Sequence, residues 1–141
     1  MTLHPVVIQG GMGAGVSNWR LARAVSLTGQ LGVVSSVALD TIVSRRLQDG
    51  DPGGHMRRGL AKFPYPAMAQ RILDKHFVEG GRKAGAPYKL VPMLSRVNSR
   101  ETTELLVVSN FVEVILAREG HSHPVGINCM EKLQLPLLAS L

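Results

Sequence analysis

Short apolar runs alternate along the chain with longer stretches of helical period, an order that marks βα units. The first run, Val6-Val7-Ile8, is β-branched throughout and enters a glycine-rich turn over residues 10–15, so a strand should end there. Ser17 or Asn18 can cap a helix running to about Thr28, with Trp19, Ala22 and Val25 on its inner face and Gly29 as the residue after its end. Residues 31–35 read as a second strand. A second helix then follows, capped by Asp40, carrying Ile42, Val43 and Leu47 on one face and stopped by Asp49-Gly50.

The middle is less regular. Asp51-Pro52-Gly53-Gly54 is a loop of strong breakers, and a short helical piece follows near residues 55–62. Pro66 suits the first turn of a helix over about 67–77, with Met68, Ile72 and Leu73 facing inward. A basic, glycine-containing loop over 79–89 leads to a third expected strand at 90–94, although Pro92 cannot donate to a ladder. Asn98 followed by Glu101 fits the start of the longest helix, about 100–119, ended by Gly120. Its stretch 105–117 is apolar enough for a strand, but length and caps favour a buried helix. Residues 125–129 give a fourth strand, and 131–141 begin another helical pattern around Pro136.

The chain has 141 residues, 45% apolar and 18% charged, which suits one domain with one core. No uncharged run is long enough to span a bilayer, and the first residues lack a signal-peptide pattern, so a cytoplasmic protein without a membrane partner is expected. The one cysteine, Cys129, cannot pair within the chain and reads as a small core residue; redox chemistry would need a cofactor. Sixteen Lys and Arg against ten Asp and Glu give +6, which favours acidic partners such as phosphate. The basic residues are scattered, and one Trp, two Tyr and three Phe leave few rings to stack bases, so nucleic acid is not the expected partner.

The most informative stretch is Gln9-Gly10-Gly11-Met12-Gly13-Ala14-Gly15, between a strand and a helix. Missing side chains there let a ligand approach the backbone, and the helix amides beyond favour an anion; a tight turn serving chain reversal alone has the same pattern. Val16 stands where a dinucleotide fingerprint needs its third glycine, and Ser35-Ser36 stand where it needs an acid. No Gly-Lys-Ser/Thr follows, so a P-loop is excluded too. His121 and His123 flank Ser122 without a third ligand at metal spacing, and no metal is expected. His76 reads as a surface residue at a helix end. Asn128, a polar amide closing an apolar strand, is placed either to bind a ligand or to cap the next turn. Met12 and Met93 read as core fillers near strand ends, and Arg57, Arg58, Arg82 and Lys83 as solvated charges with a lesser claim on phosphate.

Val6-Val7-Ile8-Gln9-Gly10-Gly11-Met12-Gly13, the helix start Ser17-Asn18-Trp19-Arg20-Leu21-Ala22, Leu31-Gly32-Val33-Val34-Ser35 and Val125-Gly126-Ile127-Asn128 together resemble, in order, the N-terminal portion of the nitronate monooxygenase family, formerly the 2-nitropropane dioxygenases. The resemblance implies an α/β fold, an FMN-dependent (β/α)8 TIM barrel that oxidises alkyl nitronates with molecular oxygen. The chain would form an incomplete barrel, about the first four βα units, with a helical insertion after the second over about residues 50–89. Carried over by motif, Gln9, Gly10, Gly11, Met12 and Asn128 would face the flavin, with Gly13 by adjacency and Ser35 at the second strand end, where the family commonly shows glycine. A full barrel takes about 250 residues. The family's catalytic base, usually a histidine, is therefore expected beyond Leu141, the chain reads as a fragment, and exposed half-barrel edges would favour self-association. The alternatives are a flavin-dependent enoyl reductase of similar architecture and a basic, non-catalytic phosphate- or RNA-binding module.

Overall fold

Helix α1 (Trp19–Leu27) begins at Asn18, whose side-chain oxygen accepts hydrogen bonds from the backbone N–H of Arg20 and Leu21. It ends with Gly29 in the left-handed region at φ 81°, the conformation glycine adopts without penalty. The computed structural model describes residues 4–93, 95 and 97–129. These form two compact units, residues 4–39 with 113–129, and residues 40–112. The helical pattern expected at 131–141 lies outside the described residues.

The first unit is built on a parallel sheet. Strand β1 (Gly32–Ser35) pairs with β2 (Val125–Asn128) in the register Gly32↔Val125 to Ser35↔Asn128. The run at Val6-Val7-Ile8, expected as a full strand, joins through one parallel bridge, Ile8↔Leu31. Gln9 N–H donates to Leu31 O and Leu31 N–H to Val7 O, so this run lies beside β1 in chain order. Helix α1 packs on β1 at backbone distance: a Cβ on Gly32 would lie 1.9 Å from the Ala22 carbonyl oxygen. The inner face of α1 is Trp19, Ala22 and Ser26; Val25, expected there, is half-buried. Ser26 takes that position because it bonds, donating to Pro124 O and accepting from Gly32 N–H. Buried Glu113 accepts from Trp19 N–H at 2.8 Å, placing a carboxylate at the positive end of α1.

The second unit is helical: α2 (Leu39–Gln48), α3 (His55–Leu60), α4 (Pro66–His76) and residues 100–112 of α5 (Arg100–Arg118). Its core is Val43, Leu47, Met56, Leu60, Phe63, Ile72, Leu105, Leu106 and Val112. Pro66 opens α4 as expected. Ala69, Ile72 and His76 are its buried residues, whereas Met68 and Leu73 are half-buried. Asp40 lies inside the first turn of α2, where it accepts from Thr41 N–H. At the start of α5 the cap is Ser99, accepting from Thr102 N–H, while Asn98 accepts from Ser95 N–H and Glu101 pairs with Lys75.

The third expected strand is not formed. Residues 90–93 are irregular with Leu90 and Met93 over 90% exposed, and Leu94 lies outside the described residues. Because β1 pairs directly with β2, the described residues between 36 and 124 make a single crossover with four helices. The described chain is therefore mixed α/β with a two-stranded parallel sheet. No helix among the described residues is long and apolar enough to cross a membrane.

Candidate functional site

Side chains alternate across a strand, so Val33 and Ser35 share one face of the sheet with their register partners Gly126 and Asn128. The turn after Ile8 folds against that face. Gly11, at φ 59°, lies so close that a Cβ would sit 2.4 Å from Val33 Cγ1 and 3.1 Å from Asn128 Cβ. Asn128 Nδ2 donates to Gly11 O and contacts Met12 Sδ, both at 3.3 Å. Gly10, by contrast, is open: a Cβ would meet nothing nearer than Met12 Cγ at 3.9 Å. Gly13, at φ 85°, supplies the carbonyl that accepts from Val16 N–H in a tight turn. Ser35 is buried at the end of β1, its Oγ within 3.4 Å of Val37 N. Asn128 O accepts from Ser36 N–H.

The seven residues singled out in the sequence thus gather at the carboxyl ends of neighbouring parallel strands. They do not all face outward. Gln9 Oε1 accepts from Val33 N–H and Gln9 Nε2 donates to Ser17 Oγ, so its amide is engaged inside the fold. Met12, expected as a core filler, is 69% exposed. Ser17 and Val33 belong to the same cluster and were not singled out as site residues. Only register and the reach of the Gln9 side chain bring them in, and neither is written in a motif.

The first helix does not offer the anion site that its glycine-rich approach suggested. Its first N–H groups are taken by Glu113, by the Asn18 side chain and, for Ala22, by Asn18 O. A carboxylate already stands where a phosphate would bind.

The second unit has its own polar features. His76, expected at the surface, is buried, and its Nδ1 lies 2.9 Å from Ser44 Oγ, which also accepts from Gln48 Nε2. Burial pushes the imidazole pKa down to about 4, with Lys75 and Lys89 acting in the same direction. His76, Ile72 and Leu105 line a cavity of about 600 Å³ whose rim carries Arg71, Arg100 and Glu104. Glu104 accepts from both arginines, and the Arg71 hydrogen bond holds its carboxyl below the usual range despite partial desolvation. Of the basic pairs, the three arginines are engaged and Lys83 is exposed. Arg57 bonds Asp51 and covers the Phe77 ring, Arg58 meets His55 Nδ1, and Arg82 bonds Asp49 and covers Tyr88. His121 Nε2 donates to Ala117 O at 2.7 Å, and its ring lies 5.7 Å from the His123 ring. Among the described residues no three His, Cys, Asp or Glu side chains gather as a metal site.

No protein-family model, curated protein or solved structure matches the chain.

Proposed function

We propose that residues 4–39 and 113–129 form the flavin-facing part of an FMN-dependent oxidoreductase of the nitronate monooxygenase type, built on a (β/α)8 plan. One observation carries the reading: the Gln9-Gly10-Gly11-Met12 turn and Asn128, far apart in sequence, meet through the Asn128 amide at the carboxyl ends of parallel strands. That end is where parallel α/β folds bind ligands. Chain-order strands, all parallel, also agree with a barrel.

The residues fit a planar ring with polar edges. Gly10 leaves the backbone uncovered, Met12 presents an exposed thioether, and the N–H groups of Gly10, Gly11 and Met12 meet no acceptor among the described residues. When bound, FMN would accept two electrons from an anionic nitronate and pass them to oxygen. The chain's own contribution in this reading is to expose backbone donors to the ring and hold the turn through Asn128. The start of α1 takes no part in binding the phosphate. The reading assigns no catalytic base and no role to the second unit.

Of the four basic residues, Arg57, Arg58 and Arg82 are engaged within the fold and Lys83 is left exposed, which counts against the phosphate- or RNA-binding alternative. Titration of the chain with FMN, read as quenching of flavin fluorescence, tests the proposal. Saturable quenching that weakens on Asn128→Ala supports it, and no quenching up to millimolar FMN refutes it. If the chain binds FMN, turnover of an alkyl nitronate without NAD(P)H separates this activity from enoyl reduction.

A further inference from the structure

A parallel ladder advances two residues at a time. After Leu31 N–H to Val7 O and Gln9 N–H to Leu31 O, the next bonds would be Val33 N–H to Gln9 O and Gly11 N–H to Val33 O. Neither forms. Val33 N–H donates instead to the Gln9 side chain, at Oε1, 3.0 Å away. Val33 O accepts from Ser17 Oγ at 2.7 Å, and Gln9 Nε2 donates to the same Ser17 oxygen.

Both ladder groups of Val33 are therefore satisfied by side chains. A backbone N–H or C=O left unpaired inside the fold is costly, so without these surrogates the backbone at 9–11 would be drawn into the sheet. With them, the main chain leaves the ladder one residue after Ile8, and Gly11 can fold over Val33 toward Asn128.

We infer that Gln9 and Ser17 are positioning residues that replace the ladder partners of Val33, so that Gly11 folds over Val33 and the exposed backbone of Gly10 and Met12 is left open for a ligand. This deepens the flavin reading and rests on it for the identity of the ligand, but not for the hydrogen bonds themselves. It also separates two roles within one motif. Gly10 and Met12 present the backbone, Gly11 packs on Val33, and the Gln9 side chain holds the place they vacate.

Amide hydrogen exchange on the whole chain tests the inference. Gln9→Met keeps the length of the side chain without its amide, and should speed exchange at Val33 about tenfold or more while Leu31, bonded to Val7, keeps its protection. Gln9→Glu retains an acceptor for Val33 N–H and should rescue Val33 protection. Ser17→Ala, read the same way, should loosen Val33 by removing the anchor of the Gln9 amide, and serves if Gln9→Met does not fold. FMN affinity should fall about tenfold in Gln9→Met and recover in part in Gln9→Glu. Unchanged Val33 exchange in both Gln9→Met and Ser17→Ala overturns the inference. A wild-type chain that binds no FMN overturns the flavin reading and leaves the Val33 result to decide the positioning role.

Discussion

Asn128 and Gly11 are separated by 117 positions in the chain, yet the Asn128 amide donates to the Gly11 carbonyl, and its Cβ would lie 3.1 Å from a Cβ on Gly11, which Val33 Cγ1 at 2.4 Å already excludes. The turn that begins after Ile8 is thus fixed from two sides. Its backbone conformation requires glycine at φ 59°, and the end of β2 holds its carbonyl.

Replacing Gly11 with Ala should therefore destabilise the chain by about 2–3 kcal/mol, since left-handed backbone strain adds to a clash with Val33. Gly10→Ala should stay within about 0.5 kcal/mol, because its Cβ enters open space. Urea denaturation of the two variants beside wild type checks both, and equal midpoints would contradict the close approach at Gly11.

Asn128→Asp exchanges a donor for a carboxylate facing the Gly11 carbonyl oxygen and the Met12 sulfur, whereas Asn128→Ala only removes the donor. The aspartate should be the worse substitution above pH 5, by about 1 kcal/mol or more, and should approach the alanine variant as pH falls and the carboxylate protonates. Denaturation midpoints at pH 7 and pH 4 measure the difference.

Stability should fall on mild acidification because of His76. Its folded pKa of about 4 lies below the ordinary histidine value of 6.5, so the unfolded chain binds the extra proton between those limits. Its contribution is fully retained above pH 6.5 and is lost as pH drops toward 4, at roughly 1.4 kcal/mol per pH unit over that interval. Lys75 on its own helix and Lys89 oppose the charged imidazole, while Glu101 and Glu104 of α5 share its cavity. His76→Gln should flatten the pH dependence of the urea midpoint between pH 6.5 and 4.5; a slope equal to wild type would place the proton elsewhere.

Asp51 anchors the start of α3. At φ 49° and buried, it accepts from Met56 N–H and Arg57 N–H and pairs with the Arg57 side chain. Asp51→Ala should cost about 1–3 kcal/mol by leaving those N–H groups unpaired. Asp51→Asn, keeping one acceptor oxygen and a residue that tolerates the left-handed region, should cost less. Thermal unfolding followed by circular dichroism ranks the two.

The helices were legible in the sequence because their signals are local. Asn18 and Gly29 bound α1, Pro66 opens α4, and Gly120 follows α5; each acts within a turn of its own position. The strands were less secure. Leu90-Val91-Pro92-Met93 has strand composition, but a strand exists only where a neighbour supplies partners, and β1 takes β2 instead. The burial of His76 is hidden for the same reason: one position in a helix says nothing of Ser44 on another.

What the sequence by itself determined is the set of local conformations: where glycine permits a left-handed turn, where a side chain caps a helix, and which short runs are apolar enough to pair. The glycine-rich turn, the amide closing an apolar strand and the family resemblance also mark Gln9 to Gly13 and Asn128 as candidates. The tertiary structure decided which of them meet and what each does there. It set the register that brings Asn128 to Gly11, turned the Gln9 amide inward onto Val33, and filled the start of α1 with Glu113. The physical reason is range. A dihedral preference or a cap spans a few residues, whereas a hydrogen bond between residues 11 and 128 exists only after strand pairing has fixed both ends.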